Sequence, residues 1–365
     1  PLAQLQADPG DVLRVEPFTR AIPAGAQAWR VLYATTRADD EPAVASAIVV
    51  VPRAADGGPL AEPPPVILWH HGTTGVAEGC APSVLDDVWG SGAFYLLDDV
   101  LAQGWALVAP DYVGLGTAGP HPYLVGEPTA RSALDAARAV QQLDEVDVAD
   151  ATVAWGHSQG GGAALWSGVL ASTYAPDVDL VGVAALAPAS NLPGLVANLG
   201  EIPGGSIFAS FVVDGYVNSY PDVRIGDVVT PQTQTLTEEF AARCLSGGRV
   251  LVSALESLLV RDALIREDSL DGPFGRRLQE NVPTGDITVP LFIGQGAADG
   301  LVLPTAQRAY VEARCAAGQD LEYREYEGRD HVPLVEADSP LVPDLLAWTQ
   351  ARLADEPALS TCAAR

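Results

Sequence analysis

Thr152-Val153-Ala154-Trp155-Gly156-His157-Ser158-Gln159-Gly160-Gly161-Gly162-Ala163-Ala164-Leu165 joins a short apolar run to a glycine-rich, helix-like stretch through a Gly-x-Ser-x-Gly pentapeptide. The pentapeptide alone arises often by chance, but between a strand and a helix it has a mechanical meaning. Small flanking residues let the chain turn sharply, so that Ser158 projects its hydroxyl above the carboxyl edge of a sheet. The helix that starts there offers unpaired amides to developing negative charge.

Similar apolar runs recur on both sides of this stretch. Ala28 to Thr36 and Val44 to Val51 read as an early pair of strands; Pro65 to Trp69, Trp105 to Ala109, Ala151 to Trp155, Leu180 to Leu186 and Ile287 to Ile293 read as further ones. Runs this short, bounded by Gly, Pro or Asp, suit a parallel sheet buried on both faces. Val84 to Leu101, Ala130 to Leu143 and Gly161 to Ser172 between them have helical spacing. The alternation predicts an α/β fold with a mostly parallel central sheet flanked by helices. From about Asn191 to Thr284 the rhythm breaks, and helical patterns appear only at Thr237 to Leu245 and Val250 to Ala263. A loop of that length without a function is uncommon. The expected division is a core of residues 1–190 and 285–365 and a helical cap over 191–284.

Composition narrows the function. The 365 residues carry 20 basic and 47 acidic side chains, a net charge of −27, and every basic residue is Arg. Such a surface repels phosphate backbones and anionic headgroups, so neither nucleic-acid binding nor membrane docking through a polybasic patch is expected. No apolar stretch is long enough to span a bilayer. The start, Pro1-Leu2-Ala3-Gln4, reads as a mature or trimmed end, the trace a removed signal peptide would leave. Cys80, Cys244, Cys315 and Cys362 form no CxxC pair and no zinc-ligand spacing. An even, widely spread count fits two disulfides in an exported protein.

A serine hydroxyl needs a base to take its proton, commonly an imidazole oriented by a carboxylate. With a nucleophile elbow of this kind the chain order is Ser, acid, His. Of five histidines only His331, in Gly328-Arg329-Asp330-His331, lies downstream of Ser158, and it follows the expected strand Leu321 to Tyr326. Asp299 follows the run ending at Ile293 and is the expected acid. Asp330 would point away from the ring, Asp320 precedes its strand, and Asp286 starts another. The backbone amide of Gln159 is one expected oxyanion donor. The second is Thr73, in the loop His70-His71-Gly72-Thr73-Thr74-Gly75, with Gly72 giving the turn. Tyr112, Thr74 and His157 are candidates for lining the site. His70 and His71 point to opposite faces if they lie on a strand, so no metal is expected, and the chemistry requires no cofactor.

Taken together, these residues resemble the α/β-hydrolase superfamily, and within it the secretory lipases of actinobacteria and fungi. The matching segments include His71-Gly72-Thr73, Pro110-Asp111-Tyr112-Val113-Gly114-Leu115-Gly116, His121-Pro122-Tyr123-Leu124, Arg131 to Arg138, and the Ser158, Asp299 and His331 loops. The resemblance implies an exported carboxylic-ester hydrolase acting on small or lipid acyl esters beneath a helical cap. It also implies the pairings Cys80–Cys244 and Cys315–Cys362, whereas four cysteines alone permit three connectivities.

Two rivals remain. A peptidase or amidase of the same fold would use the same triad with a charged anchor, for which Glu201, Asp214, Glu238 and Glu239 are available. A binding protein that has lost its chemistry would have no reason to keep every triad position. Ile207, Phe208, Phe211, Val212, Val213, Leu255, Leu258 and Leu259 could line an acyl pocket or only pack the cap. Oligomeric state is not written in the sequence.

Overall fold

A computed structural model describes residues 6–89, 93–245 and 264–362. Among these residues nine strands form one sheet: β1 (Val12–Phe18), β2 (Ala26–Thr36), β3 (Pro42–Pro52), β4 (Val66–His70), β5 (Ala106–Pro110), β6 (Thr152–His157), β7 (Leu180–Leu186), β8 (Leu291–Gly296) and β9 (Glu322–Tyr326). Their order is β1-β2-β3-β5-β4-β6-β7-β8-β9. The first three strands are antiparallel, and β3 pairs antiparallel with β5; all later pairs are parallel. The expected α/β fold with a mostly parallel sheet is therefore present. From β4 the chain crosses to β5 on one side and returns to β6 on the other. A crevice opens at the carboxyl ends of strands at such a switch point.

The helices are α1 (Leu97–Ala102), α2 (Gly126–Val140), α3 (Gln159–Tyr174), α4 (Leu192–Asn198), α5 (Gly205–Ser219), α6 (Ile225–Val228), α7 (Pro231–Ala241), α8 (Pro273–Glu280), α9 (Pro304–Ala316) and α10 (Leu341–Leu353). Strand periodicity sorts them onto two faces. Ile67, Trp69, Val153, Trp155, Ala184 and Leu186 pack against α1 and α10. Their neighbours Val66, Leu68, Ala154, Val183 and Ala185 pack against α2, α3 and α9. Helices α4 to α8 form the insertion. Phe211, Val213, Tyr216, Phe240, Phe274 and Leu278 build its core, which closes over Val76, Tyr123, Leu124 and Ala189 in the loops that follow β4, β5 and β7. The cap thus covers the carboxyl edge. No helix among the described residues is long and apolar enough to cross a membrane.

Several expected elements differ. The helix expected over Val84 to Leu101 is realised only as α1, because Leu96 sits in the left-handed region at φ 65° and residues 82–89 form turns. The strand expected from Ile287 begins at Leu291; Pro290 precedes it, and Ile287 instead packs beneath α3 and α9. The helix expected over Thr237 to Leu245 starts earlier, with Pro231 at its first turn, and ends at Ala241. The pattern at Val250 to Ala263, with Leu255, Leu258 and Leu259, lies outside the described residues.

Candidate active site

Ser158 occupies the junction of β6 and α3 with φ 61° and ψ −120°, a conformation L-residues rarely adopt. Backbone packing holds it there. Ser158 N–H donates to Leu186 O at 3.0 Å, and its own carbonyl accepts from Gly162 and Ala189 N–H. Cβ atoms built on Gly156 and Gly160 would overlap the carbonyl oxygens of Gly160 and His70, and one on Gly161 would lie 2.8 Å from Pro188 Cα. The glycines of the elbow therefore let α3 lie directly against β4 and the β7 loop. Gly160→Ala should cost more than about 3 kcal/mol, because backbone rather than a movable side chain opposes the methyl group. Denaturant unfolding would measure it, and a loss below about 1 kcal/mol would mean that the elbow relaxes easily.

At this edge the structure brings three separated residues into one hydrogen-bonded line. His331 Nε2 lies 2.9 Å from Ser158 Oγ, and His331 Nδ1 lies 2.8 Å from Asp299 Oδ2. Asp299 is almost fully buried. Its Oδ1 accepts from the amides of Leu301 (2.9 Å) and Val302 (2.8 Å), and its Oδ2 from Gln295 Nε2 (3.1 Å). Asp330 pairs with backbone amides rather than with the imidazole. It accepts from the N–H groups of Gly300 and His331, and those two bonds hold its carboxyl below the usual range. It thereby ties the loop after β8 to the loop after β9. Behind them, His157 Nε2 donates to His331 O at 3.0 Å. Burial, and then the adjacent His331 ring, push the His157 pKa well down.

Gln159 is the first residue of α3, so its N–H has no partner within the helix. Thr73 lies in the loop after β4, and its hydroxyl pairs with Tyr123 OH at 2.7 Å. Gly72, expected to make the turn, has neither a positive φ nor a crowded Cβ position. The demanding position is Gly75, with φ +132° and Cys80 Sγ 2.6 Å from a built Cβ. Disulfides join Cys80 to Cys244 and Cys315 to Cys362. The first links the loop after β4 to the end of α7, where Leu245 N–H also donates to Thr74 O.

A narrow cavity of about 20 Å³ adjoins Ser158. Thr73, Tyr123 and Gln159 line it on the core side, and Leu195, Leu199, Phe208 and Val212 on the cap side. Of the apolar candidates, Phe208 and Val212 reach it, while Ile207, Phe211 and Val213 pack the cap interior. Tyr112, Thr74 and His157 are not among its lining residues. Tyr112 is fully buried, stacks on His71 with centroids 4.3 Å apart, and donates to His71 O. Thr74 spends its carbonyl on the cap. Tyr123, Leu195, Leu199 and Leu301, which do line it, were not among the lining candidates read from sequence. Glu201, Asp214, Glu238 and Glu239 do not line the cavity either.

His70 and His71 enter different networks. His70 meets Trp155 O and Ser167 Oγ, His71 meets Gly72 O and Asp111 O, and burial lowers each to about 4. Among the described residues no group of three His, Cys, Asp or Glu side chains could hold a metal ion.

Comparison with known proteins agrees with this architecture. A secreted triacylglycerol lipase of Malassezia globosa is 29% identical over 80% of this chain, which spans 65% of that protein's length. A protein described as a probable inactive lipase of Mycobacterium tuberculosis is 27% identical over 98% of this chain and 81% of its own. Among solved structures, lipase A of Candida antarctica superposes with a TM-score of 0.80, covering 97% of this chain and 84% of that one at 21% identity, which establishes a shared fold. The secretory lipase family model matches residues 91–361, about three-quarters of the sequence, and the chain belongs to that family.

Proposed function

We propose that this chain is an exported lipase- or esterase-type carboxylic-ester hydrolase in which Ser158 is the nucleophile, His331 the base and Asp299 the orienting acid. The observation that carries the assignment is the continuous line from Ser158 Oγ through both ring nitrogens of His331 to Asp299 Oδ2. Asp299 faces Nδ1, so the ring carries its proton there and presents a lone pair at Nε2 to the serine hydroxyl. Ser158 attacks the ester carbonyl as His331 takes its proton. The amides of Gln159 and Thr73 receive the oxyanion, and the alcohol leaves with the proton from Nε2. Water, deprotonated by the same nitrogen, then releases the acid from the acyl-enzyme. Residues 191–284 are the cap on a core of 1–190 and 285–365. Secretory family membership and two disulfides support an extracellular setting.

An ester is favoured over a peptide because the cap side of the cavity is apolar, formed by Leu195, Leu199, Phe208 and Val212, and among the described residues no acidic side chain lines it. The test is turnover of p-nitrophenyl esters from acetate to palmitate beside an aminoacyl p-nitroanilide. Ester hydrolysis that disappears in Ser158→Ala is the expected result. Anilide cleavage without ester cleavage would overturn it in favour of a peptidase, and no turnover of either would align the chain with its relative described as inactive.

A further inference from the structure

His121 is a histidine that neither the expected chemistry nor the packing of the elbow uses. It is fully buried in the loop between β5 and α2. Its Nδ1 lies 3.1 Å from Val113 O, and its Nε2 lies 3.0 Å from Nε2 of Gln159. A carbonyl oxygen only accepts, so the Nδ1 facing it carries the proton. Burial lowers the pKa of the ring to about 3, which keeps it neutral. Nε2 is therefore a lone pair, and the Gln159 carboxamide must turn its NH₂ toward it. The orientation of Gln159 is fixed by a tautomer that a backbone carbonyl sets.

The ring itself has little freedom. It stacks on Tyr112 with an interplanar angle of 10°, and Tyr112 stacks in turn on His71, at the root of the loop that carries Thr73. Gly114, at φ +83°, lets the chain fold back so closely that a Cβ there would overlap Pro120 O and the amide of His121. His71, Tyr112 and His121 thus form one buried pile. One end adjoins the loop of Thr73, and the other grips the side chain of Gln159.

We propose that His121 is a positioning residue for ester hydrolysis: by accepting from the Gln159 carboxamide it fixes the residue whose backbone N–H meets the oxyanion. The proposal rests on the reading of Ser158 and Gln159 given above. An interaction of this kind acts when charge appears on oxygen, so it belongs to kcat rather than KM.

The experiment compares the wild type with His121→Leu, His121→Gln and Gln159→Met on p-nitrophenyl butyrate and its thionoester, whose C=S sulfur accepts hydrogen bonds poorly. His121→Leu should lower kcat for the oxygen ester about 10-fold or more with KM within 2-fold, and should lower thionoester turnover less than 3-fold. His121→Gln, which keeps an acceptor, should recover most of the loss. Gln159→Met should match His121→Leu, and it carries the test if His121→Leu does not fold. Equal losses on both substrates, no recovery with Gln, or unimpaired variants would overturn the proposal. Ser158→Ala, run in parallel, separates the two readings. Activity surviving there overturns the nucleophile assignment and this proposal with it, whereas an inactive Ser158→Ala beside an unimpaired His121→Leu overturns this proposal alone.

Discussion

Ser158→Ala should lower ester turnover by about 10⁵- to 10⁶-fold while the unfolding transition moves little. The activity loss is large because the variant has no atom to form the acyl-enzyme, and the remaining groups can only polarise the carbonyl for water. Donors to the oxyanion and substrate binding alone sustain roughly 10³–10⁴-fold over the uncatalysed reaction. Stability should change little for a different reason. Alanine is nearly isosteric and occupies the same strained backbone, and the bonds that enforce φ 61° come from main-chain groups at Leu186, Ala189 and Gly162. The only hydrogen bond lost is that from Oγ to His331. Steady-state kinetics with thermal melts on the same preparations would decide it. Activity within 100-fold of wild type would remove Ser158 from the chemistry.

The parts of the fold legible in the sequence are those where burial is complete. All six residues of β6 are buried, as are all of β4 and β5, so a short apolar run bounded by punctuating residues was enough to find them. Strand β1 is not legible because it is an edge strand in which only Phe18 is buried. Arg14 and Glu16 interrupt any apolar run, and its only partner is β2. Composition also could not show that Leu96 would adopt a left-handed conformation and cut a helical pattern to six residues.

The same distinction holds at the site. Ser158, Asp299 and His331 were marked by motif, by position after a strand and by chain order, all of which are local signals. The walls of the cavity are not local. Tyr123, the neighbouring pair Leu195 and Leu199, and Leu301 come from three separate segments, and an apolar residue in an amphipathic helix gives no sign of which neighbour it will meet. Tyr112 illustrates the converse. Its place beside the site suggested contact with substrate, yet its ring is consumed in the pile between His71 and His121.

Asp299→Asn should lower kcat by about 10⁴-fold with KM changed only a few-fold, through a switch of tautomer rather than loss of structure. The surroundings of Asp299 dictate how an asparagine must sit. The amides of Leu301 and Val302 both donate to Oδ1, so the carboxamide oxygen has to take that position. The NH₂ then occupies the place of Oδ2, 2.8 Å from His331 Nδ1, and a donor there forces Nδ1 to become the acceptor. The imidazole proton moves to Nε2, the nitrogen facing Ser158 Oγ, and the base is lost although every atom remains near its place. The new NH₂ also meets Gln295 Nε2, a second donor, so the melting temperature should fall modestly as well. Asp299→Ala would separate the two effects: it removes the carboxylate without imposing a donor, leaves the ring free to take either tautomer, and should retain more activity than the asparagine variant. Activity of Asp299→Asn within 10-fold of wild type would mean that another group sets the tautomer. The neighbouring Asp330 is the first alternative to examine, although its Oδ1 is occupied by the amides of Gly300 and His331.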